Sequence, residues 1–181
     1  MERIEVMIGE RVSLVVPERE DAKVWYKQMN DIENQVFLNQ RGKIFLLEQE
    51  YDYYDSLKNQ INRRMFGIMV KETGKIIGNL SLFDISEINR NAVLGVLLGD
   101  KTEQNKGYGT EALNLILKYG FEVLGLHKIK LEVLATNSRA KKVYEKVGFK
   151  EVGIFKEDIF DYEKYIDKII MEIMRKDYFL N

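Results

Sequence analysis

The sequence predicts a mixed α+β fold, with a central, mostly antiparallel sheet that contains one parallel βαβ unit. Short apolar stretches separated by polar turns recur along the chain, a pattern typical of antiparallel hairpins. In the middle, apolar residues 92–98, a long helical segment and the alternating stretch 128–135 form one β-α-β succession, which should be parallel and right-handed. Pro17 is the only proline, and no linker or repeat interrupts the chain. We therefore expect residues 1–181 to form a single domain.

The first half of the chain is predicted to contain a strand, two helices and two further strands. The strand Arg11–Val16 ends at Pro17, which cannot continue an inner strand. Glu18–Asn30 has helical spacing, with one apolar face formed by Ala22, Trp25, Tyr26 and Met29. The next predicted elements are an irregular stretch 31–47, a helix Glu48–Ile61, a strand Phe66–Val70, a turn Glu72–Lys75 and a strand Ile76–Ile85.

The second half begins with Ala92–Leu98, which is apolar throughout and should therefore be buried on both faces. A helix is predicted over residues 108–124, and its core stripe is Ala112, Leu113, Ile116, Tyr119, Gly120 and Val123. The remaining elements are a strand Lys128–Ala135, a short helix Ser138–Lys146 capped by Asn137 or Ser138, and an antiparallel pair Gly148–Lys156 and Ile166–Met174. The complete predicted order is β-α-α-β-β-β-α-β-α-β-β.

Composition and charge exclude several classes of function. The 28 basic and 29 acidic residues nearly cancel, so the net charge of −1 favours neither nucleic acid nor an anionic membrane as a partner. The absence of Cys removes disulfides and thiolate chemistry, and one His cannot build a histidine metal cluster, so no metal is expected. The N-terminus carries charge throughout and no long apolar run exists, so we expect a cytoplasmic protein without a membrane partner.

The stretch EQNKGYGTEA, residues 103–112, enters the middle helix with two glycines at its start. Gly107 and Gly109 leave room for an anion beside the unpaired N–H groups of a helix N-terminus. With Ala112 they also satisfy the dinucleotide pattern G-x-G-x-x-A, and Glu132 stands where that motif expects an acid. However, eight residues separate the strand from the first glycine, and too few βα units follow for a dinucleotide fold. A plain helix start is the third interpretation.

Two blocks of sequence, one from Leu98 that includes Gln104, Gly107 and Gly109 and one over residues 126–149, resemble the GNAT superfamily of N-acetyltransferases. The segment LGDKTEQNKGYGTEALNLILKYGFE, from Leu98, is similar to the family's acetyl-CoA loop, Q/R-x-x-G-x-G/A, and its following helix. The segment LHKIKLEVLATNSRAKKVYEKVGF, residues 126–149, resembles the family's next strand and short helix. Its matching positions are Asn137, Ala140, Tyr144, Gly148 and Phe149. The resemblance implies the GNAT fold, and is greatest to the branch of ribosomal-protein N-terminal acetyltransferases and polyamine acetyltransferases.

This resemblance implies that acetyl-CoA is the co-substrate and that a primary amine attacks its thioester directly in a ternary complex. The implied cofactor-binding residues are Leu97, Leu98, Gly99, Gln104, Asn105, Lys106, Gly107, Tyr108, Gly109, Thr110, Asn137, Ala140 and Tyr144. Backbone amides from Asn105 to Thr110 would bind the pyrophosphate, and the backbone of Leu97–Gly99 would pair with the pantetheine arm. An N–H near Leu98 would stabilise the oxyanion. Tyr144 is the implied catalytic residue, because a neutral phenol can protonate the leaving thiolate.

The sequence departs from the family pattern at two positions. Asn105 stands where the family often has Gly, and Asn tolerates a left-handed backbone better than most residues. Many relatives carry a Glu on the strand before the loop, where this chain offers Val93. The general base is therefore unassigned, and the candidates are Asp84, Glu132 and a chain of water molecules.

Two acidic, aromatic segments bear on the acceptor. Residues 48–55, EQEYDYYD, hold Glu48, Glu50, Asp52 and Asp55 among three Tyr, and residues 158–167, DIFDYEKYID, are similar in composition. Such a lining suits a cationic amine, either a polyamine or a basic peptide N-terminus, whereas the alternative is a solvated helix face. The rival functions are a non-catalytic acyl-CoA-binding module of the same fold and a NAD-dependent oxidoreductase. The resemblance also implies a homodimer that pairs through the C-terminal strands.

Overall fold

The computed structural model describes residues 2–180, and its strands form one mixed sheet. The strands are β1 Glu5–Ile8, β2 Val12–Val15, β3 Arg64–Val70, β4 Lys75–Ser86, β5 Asn91–Leu97, β6 Lys128–Leu134, β7 Lys150–Asp161 and β8 Lys164–Met174. Their order in the sheet is β1-β2-β3-β4-β5-β6-β8-β7. All neighbouring pairs are antiparallel except β5 and β6, which confirms the predicted mixed fold with one parallel unit.

Helices cover both faces of this sheet. They are α1 Ala22–Met29, α2 Ile32–Phe37, α3 Leu47–Ser56, α4 Tyr108–Lys118, α5 Ser138–Lys146 and α6 Arg175–Tyr178. Short 3-10 turns lie at Arg19–Asp21, Leu57–Asn59 and Lys101–Glu103, and a π-helical turn, Tyr119–Val123, extends α4.

The main core lies between the sheet and α4. Leu14, Ile68 and Leu80 of the sheet pack there with Ile116 and Phe121, all of them fully buried. The opposite face of the sheet carries α1 and α3, and its smaller cluster consists of Val15, Met69 and Ile76 with Val24 packed against them. Burial of these apolar surfaces is the main favourable contribution to folding.

Several predicted elements differ from the structure. Three short elements, β1, α2 and α6, were not predicted, since each has at most six residues and lacks a clear apolar period. The prediction that residues 31–47 are irregular was wrong for Ile32–Phe37, where the Asp31 carboxylate caps the first turn by accepting from the N–H groups of Glu33 and Asn34.

Two predictions of burial were also wrong. Within β5, Ala92 and Leu94 are buried toward α4, whereas Val93 and Leu97 on the other face are only half-buried. That face is open because β6 leaves β5 after three pairs. Val123, predicted in the core stripe of the middle helix, is exposed, because the π-helical turn changes the angular position of the residues after Lys118.

Candidate functional site

The parallel strands β5 and β6 separate partway along their length. They pair only at Asn91, Ala92 and Val93 of β5, opposite Lys128, Ile129 and Lys130 of β6. Beyond these pairs, Leu94–Leu97 keep their bonds to β4, while β6 continues beside β8. The β5 edge that faces β6 is therefore unpaired over these four residues. An unpaired strand edge can bind an extended ligand through its backbone.

The end of β5 is held close to its neighbours by glycines. A Cβ on Gly78 of β4 would overlap the carbonyl oxygen of Leu97, and a Cβ on Gly99 would lie 2.5 Å from the side-chain nitrogen of Asn34. Only glycine allows these approaches, which bring Leu97, Leu98 and Gly99 against β4 and the first helices.

The loop after this strand supplies unpaired backbone donors. Asn105 has φ of 61° and Gly107 has φ of 83°, so both adopt the left-handed conformation. Asn105 thus turns as a glycine would. In the described part of the chain, the N–H groups of Asn105, Lys106 and Gly107 donate to no protein acceptor. Successive unpaired N–H groups at the start of a helix, here α4, form a concave site for an anion.

Arg11 and Glu111 hold this loop through contacts with its backbone and with each other, and the sequence prediction missed both residues. The Arg11 guanidinium donates to the Lys106 carbonyl at 2.8 Å and to the Glu111 carboxylate at 3.1 Å. It lies directly under Gly107, where a Cβ would come within 2.9 Å of it, and its centre is 5.5 Å from the Tyr108 ring. Burial raises the pKa of Glu111, but hydrogen bonds from the backbone N–H groups of Arg11 and Val12 and from the guanidinium outweigh it, so that pKa lies below its usual value.

The two blocks that carry the family resemblance meet in space. Arg139 on α5 donates to the side-chain oxygen of Gln104 at 2.5 Å, which joins the loop to the second block. The Asn137 side chain accepts from the Ala140 N–H at 3.1 Å and so caps α5, as the sequence predicted. Lys106 forms an ion pair with Glu103 at 2.8 Å.

Tyr144 lies on α5, packed partly against the main core. Its ring contacts Phe149 edge-on, with centroids 5.9 Å apart. Burial raises the pKa of its hydroxyl to about 12. That hydroxyl forms no hydrogen bond within residues 2–180, so its proton is free to be donated to a ligand.

A row of small or flexible residues crosses the sheet on the side of α3. Met65 of β3 is opposite Ser81 of β4, and Ser81 is opposite Gly95 of β5, so all three face the same way. By the same alternation Glu132 faces this side across the separation between β5 and β6. We call the surface formed by Met65, Ser81, Gly95 and Glu132 the α3-side floor. Glu132 is half-exposed and pairs with Lys168 at 3.0 Å.

The four acids of the segment 48–55 do not act together. Glu48, Asp52 and Asp55 are exposed, and Asp55 forms an ion pair with Arg19. Glu50 alone is buried, with 7 % of its surface exposed. Asp84, which the sequence offered beside Glu132 as a candidate general base, is exposed.

Two cavities lie near the α3-side floor and the end of β5. One, of about 530 Å³, is lined in part by Tyr54, Arg63 and Met65 at the start of β3. The other, of about 610 Å³, lies beside Gly99 and the loop that follows it.

Within residues 2–180, no helix is long and apolar enough to cross a membrane, and no group of His, Cys, Asp and Glu is placed to hold a metal ion.

Comparison with known proteins identifies the arrangement. The model of the acetyltransferase (GNAT) domain family matches residues 11–150, which include the loop, the strand separation and both sequence blocks. The chain belongs to the GNAT acetyltransferase family. It is therefore an N-acetyltransferase that takes its acetyl group from acetyl-CoA, and not a NAD-dependent oxidoreductase. The long approach to Gly107 and the left-handed Asn105 lie within the region that the family model matches.

Relatives of this acetyltransferase include enzymes named for polyamines. The spermidine N(1)-acetyltransferase of Vibrio cholerae serotype O1 is 31% identical over 140 residues, which cover 74% of this chain and 80% of that protein. The spermidine N(1)-acetyltransferase of Escherichia coli K12 is 32% identical over 127 residues, 70% of this chain and 67% of that protein. A putative ribosomal N-acetyltransferase of Bacillus subtilis, YdaF, is 25% identical over 58% of this chain and 57% of that protein.

A solved structure resembles the acetyltransferase over nearly its whole length. Spermidine N-acetyltransferase from Vibrio cholerae, in complex with CoA and spermine, superimposes with a TM-score of 0.87 at 26% identity. The match covers 96% of this chain and all of that chain.

Proposed function

We propose that this acetyltransferase transfers the acetyl group of acetyl-CoA to a primary amine of a polyamine. The observation that carries the proposal is the separation of β5 and β6 beside a loop of unpaired N–H groups. A buried acid, Glu50, lies on the α3 side of the same sheet. The similarity to spermidine N-acetyltransferases over most of the chain supports the same acceptor class.

In this proposal the loop residues bind the cofactor by their backbone. The N–H groups of Asn105, Lys106 and Gly107 face the pyrophosphate, and those of Tyr108, Gly109 and Thr110 continue the site into the first turn of α4. The helix dipole adds a favourable positive potential at that end. Gln104 holds the outer side of the loop through its bond to Arg139.

The pantetheine arm extends along the unpaired edge of β5. The backbone of Leu97, Leu98 and Gly99 provides donors and acceptors for it, and Asn137 and Ala140 border its other side. An N–H near Leu98 stabilises the oxyanion that forms when the amine attacks the thioester; one such donor can contribute about 3–4 kcal/mol.

Tyr144 donates its proton to the departing thiolate. Because the pKa of its hydroxyl is about 12, this group stays protonated at every physiological pH. Val93 offers no base at the position where many relatives carry a Glu. Another group must therefore accept the proton of the acceptor amine. Glu132, which faces the same side as Gly95, and a chain of water molecules are the groups available for this step.

The acceptor class is tested by measuring free CoA thiol release in the presence of different amines. We expect release with spermidine or spermine and much less with aminoglycosides, amino-sugars or ribosomal N-terminal peptides. Preference for a basic peptide would replace the polyamine with a protein N-terminus. No release with any amine, despite binding of acetyl-CoA, would favour a non-catalytic acyl-CoA-binding module.

We further propose that the enzyme is a homodimer paired through its C-terminal strands. Strand β7 lies at the edge of the sheet, and Val152, Ile154, Phe155 and Phe160 on it are exposed. An edge strand with unpaired backbone groups and exposed apolar side chains can pair with another chain. A Phe155→Asp variant should run as a monomer in light scattering; a wild-type monomer would contradict this pairing.

A further inference from the structure

Glu50 is a buried carboxylate without a partner in the described part of the chain. The residue has 7 % of its surface exposed, its carboxylate oxygens are not fully enclosed, and it accepts no hydrogen bond and forms no ion pair among residues 2–180. Burial raises the pKa of this carboxyl. Burying a carboxylate that has no protein partner destabilises the fold, and a cationic ligand would supply the missing partner.

Contacts around Tyr53 place Glu50 over the α3-side floor. Glu50 lies one turn before Tyr53 on the buried face of α3, and its charge adds to the rise in the pKa of the Tyr53 hydroxyl, which burial dominates. That hydroxyl contacts the sulfur of Met65 at 3.7 Å and accepts from Arg63 at 2.7 Å. Met65 begins the row that crosses Ser81 and ends at Gly95, beside the strand separation.

The dimensions of this floor suit an extended cation. Met65 and Gly95 lie on strands two spacings apart, which is roughly 10 Å across the sheet. Gly95 carries no side chain, and the edge of the Phe83 ring lies 3.2 Å from where its Cβ would be, so a ligand that enters from the separation passes beside this ring. Arg63 does not neutralise Glu50, because its guanidinium donates to Tyr53 and stacks 5.0 Å from the Phe83 ring.

We infer that Glu50 binds a distal ammonium group of the acceptor while another amine of the same molecule reacts at the strand separation. The inference rests on the proposed function and gives it a specificity-determining residue. A monoamine cannot reach both places, whereas a polyamine with well-separated nitrogens can. Glu50 would then explain why the enzyme prefers a polycation to a simple amine.

The experiment compares spermidine with butylamine, a monoamine that matches the aminobutyl end of spermidine. In wild-type enzyme, kcat/KM should be higher for spermidine. Glu50→Gln keeps the size of the side chain but removes its charge, and should lower kcat/KM for spermidine at least tenfold through KM. The value for butylamine and the KM for acetyl-CoA should change less than twofold. Glu48→Gln, an exposed position on the same helix, is the matched control.

Three other outcomes would overturn the role of Glu50 as a distal anchor. An equal loss for both amines would mean that Glu50 acts on the reacting nitrogen, and would overturn its role as a distal anchor. Unchanged kinetics for spermidine in Glu50→Gln would overturn the inference while leaving polyamine acetylation intact. A wild-type enzyme that acetylates no polyamine would overturn the proposed function and the anchor together.

Discussion

The guanidinium of Arg11 lies 3.1 Å from the carboxylate of Glu111, a residue 100 positions further along the chain. Through this pair, the start of β2 and the first turn of α4 hold the carbonyl of Lys106 in place. The loop proposed to bind the cofactor is thus fixed by an interaction that lies outside the loop motif itself.

Removing the guanidinium should loosen this loop. We expect Arg11→Met to raise the KM for acetyl-CoA about tenfold with little change in kcat, because a charge-assisted hydrogen bond contributes about 1.5 kcal/mol. Arg19→Met is a suitable control, since Arg19 has a similar exposure and also forms an ion pair, but lies away from the loop. A similar KM in both variants would show that Arg11 does not position the loop.

A side chain at Gly107 should abolish cofactor binding. Gly107→Val would strain a left-handed backbone and place Cβ against Arg11. Gly74→Val imposes a comparable backbone strain of about 1–2 kcal/mol in the β3–β4 turn, where no atom lies within 4 Å of a Cβ. Thermal shift with acetyl-CoA should therefore vanish only in Gly107→Val; retained stabilisation in that variant would place the pyrophosphate elsewhere.

Asn105 should be replaceable by glycine but not by a branched residue. Its φ of 61° favours Gly and Asn. Asn105→Gly should keep the wild-type KM for acetyl-CoA, whereas Asn105→Val should raise it severalfold. If both variants bound acetyl-CoA equally well, the left-handed turn at this position would not matter to the site.

Tyr144→Phe should lower kcat by about 10²-fold, the usual contribution of a general acid. The KM for acetyl-CoA should hardly change, because the ring and its contact with Phe149 remain. Since the pKa of the hydroxyl is about 12, wild-type kcat should show no loss from ionisation of Tyr144 between pH 7 and about pH 9. Normal turnover in the Phe variant would remove its role as the acid.

Glu50 should make stability depend on pH. A carboxyl whose pKa is raised by folding binds its proton more tightly in the folded state, so folding becomes less favourable as the pH rises through the folded pKa. Glu50→Gln cannot ionise. The variant should therefore have a higher melting temperature than wild type at neutral pH, and this difference should shrink as the pH falls. A difference independent of pH would show that Glu50 is not an uncompensated buried charge.

The sequence predicted the central unit of the fold well because its elements have clear local signals. Helix Ser138–Lys146 was placed correctly, since Asn137 caps it and the apolar spacing is regular. The short strand Glu5–Ile8 carries mostly exposed side chains at the sheet edge, so no apolar alternation marks it. Its position depends on pairing with β2, which is a tertiary contact.

Local motifs likewise predicted the loop but not the residues that support it. Gly107 and Asn105 are recognisable from the spacing of the family pattern, whereas the Arg11–Glu111 pair joins segments far apart in the chain. The distinction between Glu50 and its acidic neighbours follows from which face of α3 packs against the sheet. That orientation is set by tertiary packing, because charged residues occur on both faces of this helix.

We propose direct acetyl transfer from acetyl-CoA to a polyamine at the strand separation. Initial rates of CoA release, measured while acetyl-CoA and spermidine are both varied, test it together with mass spectrometry of the product. We predict intersecting double-reciprocal lines and one acetylspermidine for each CoA released. Parallel lines, which indicate an acetyl-enzyme intermediate, or CoA release that does not depend on the amine, would contradict the account.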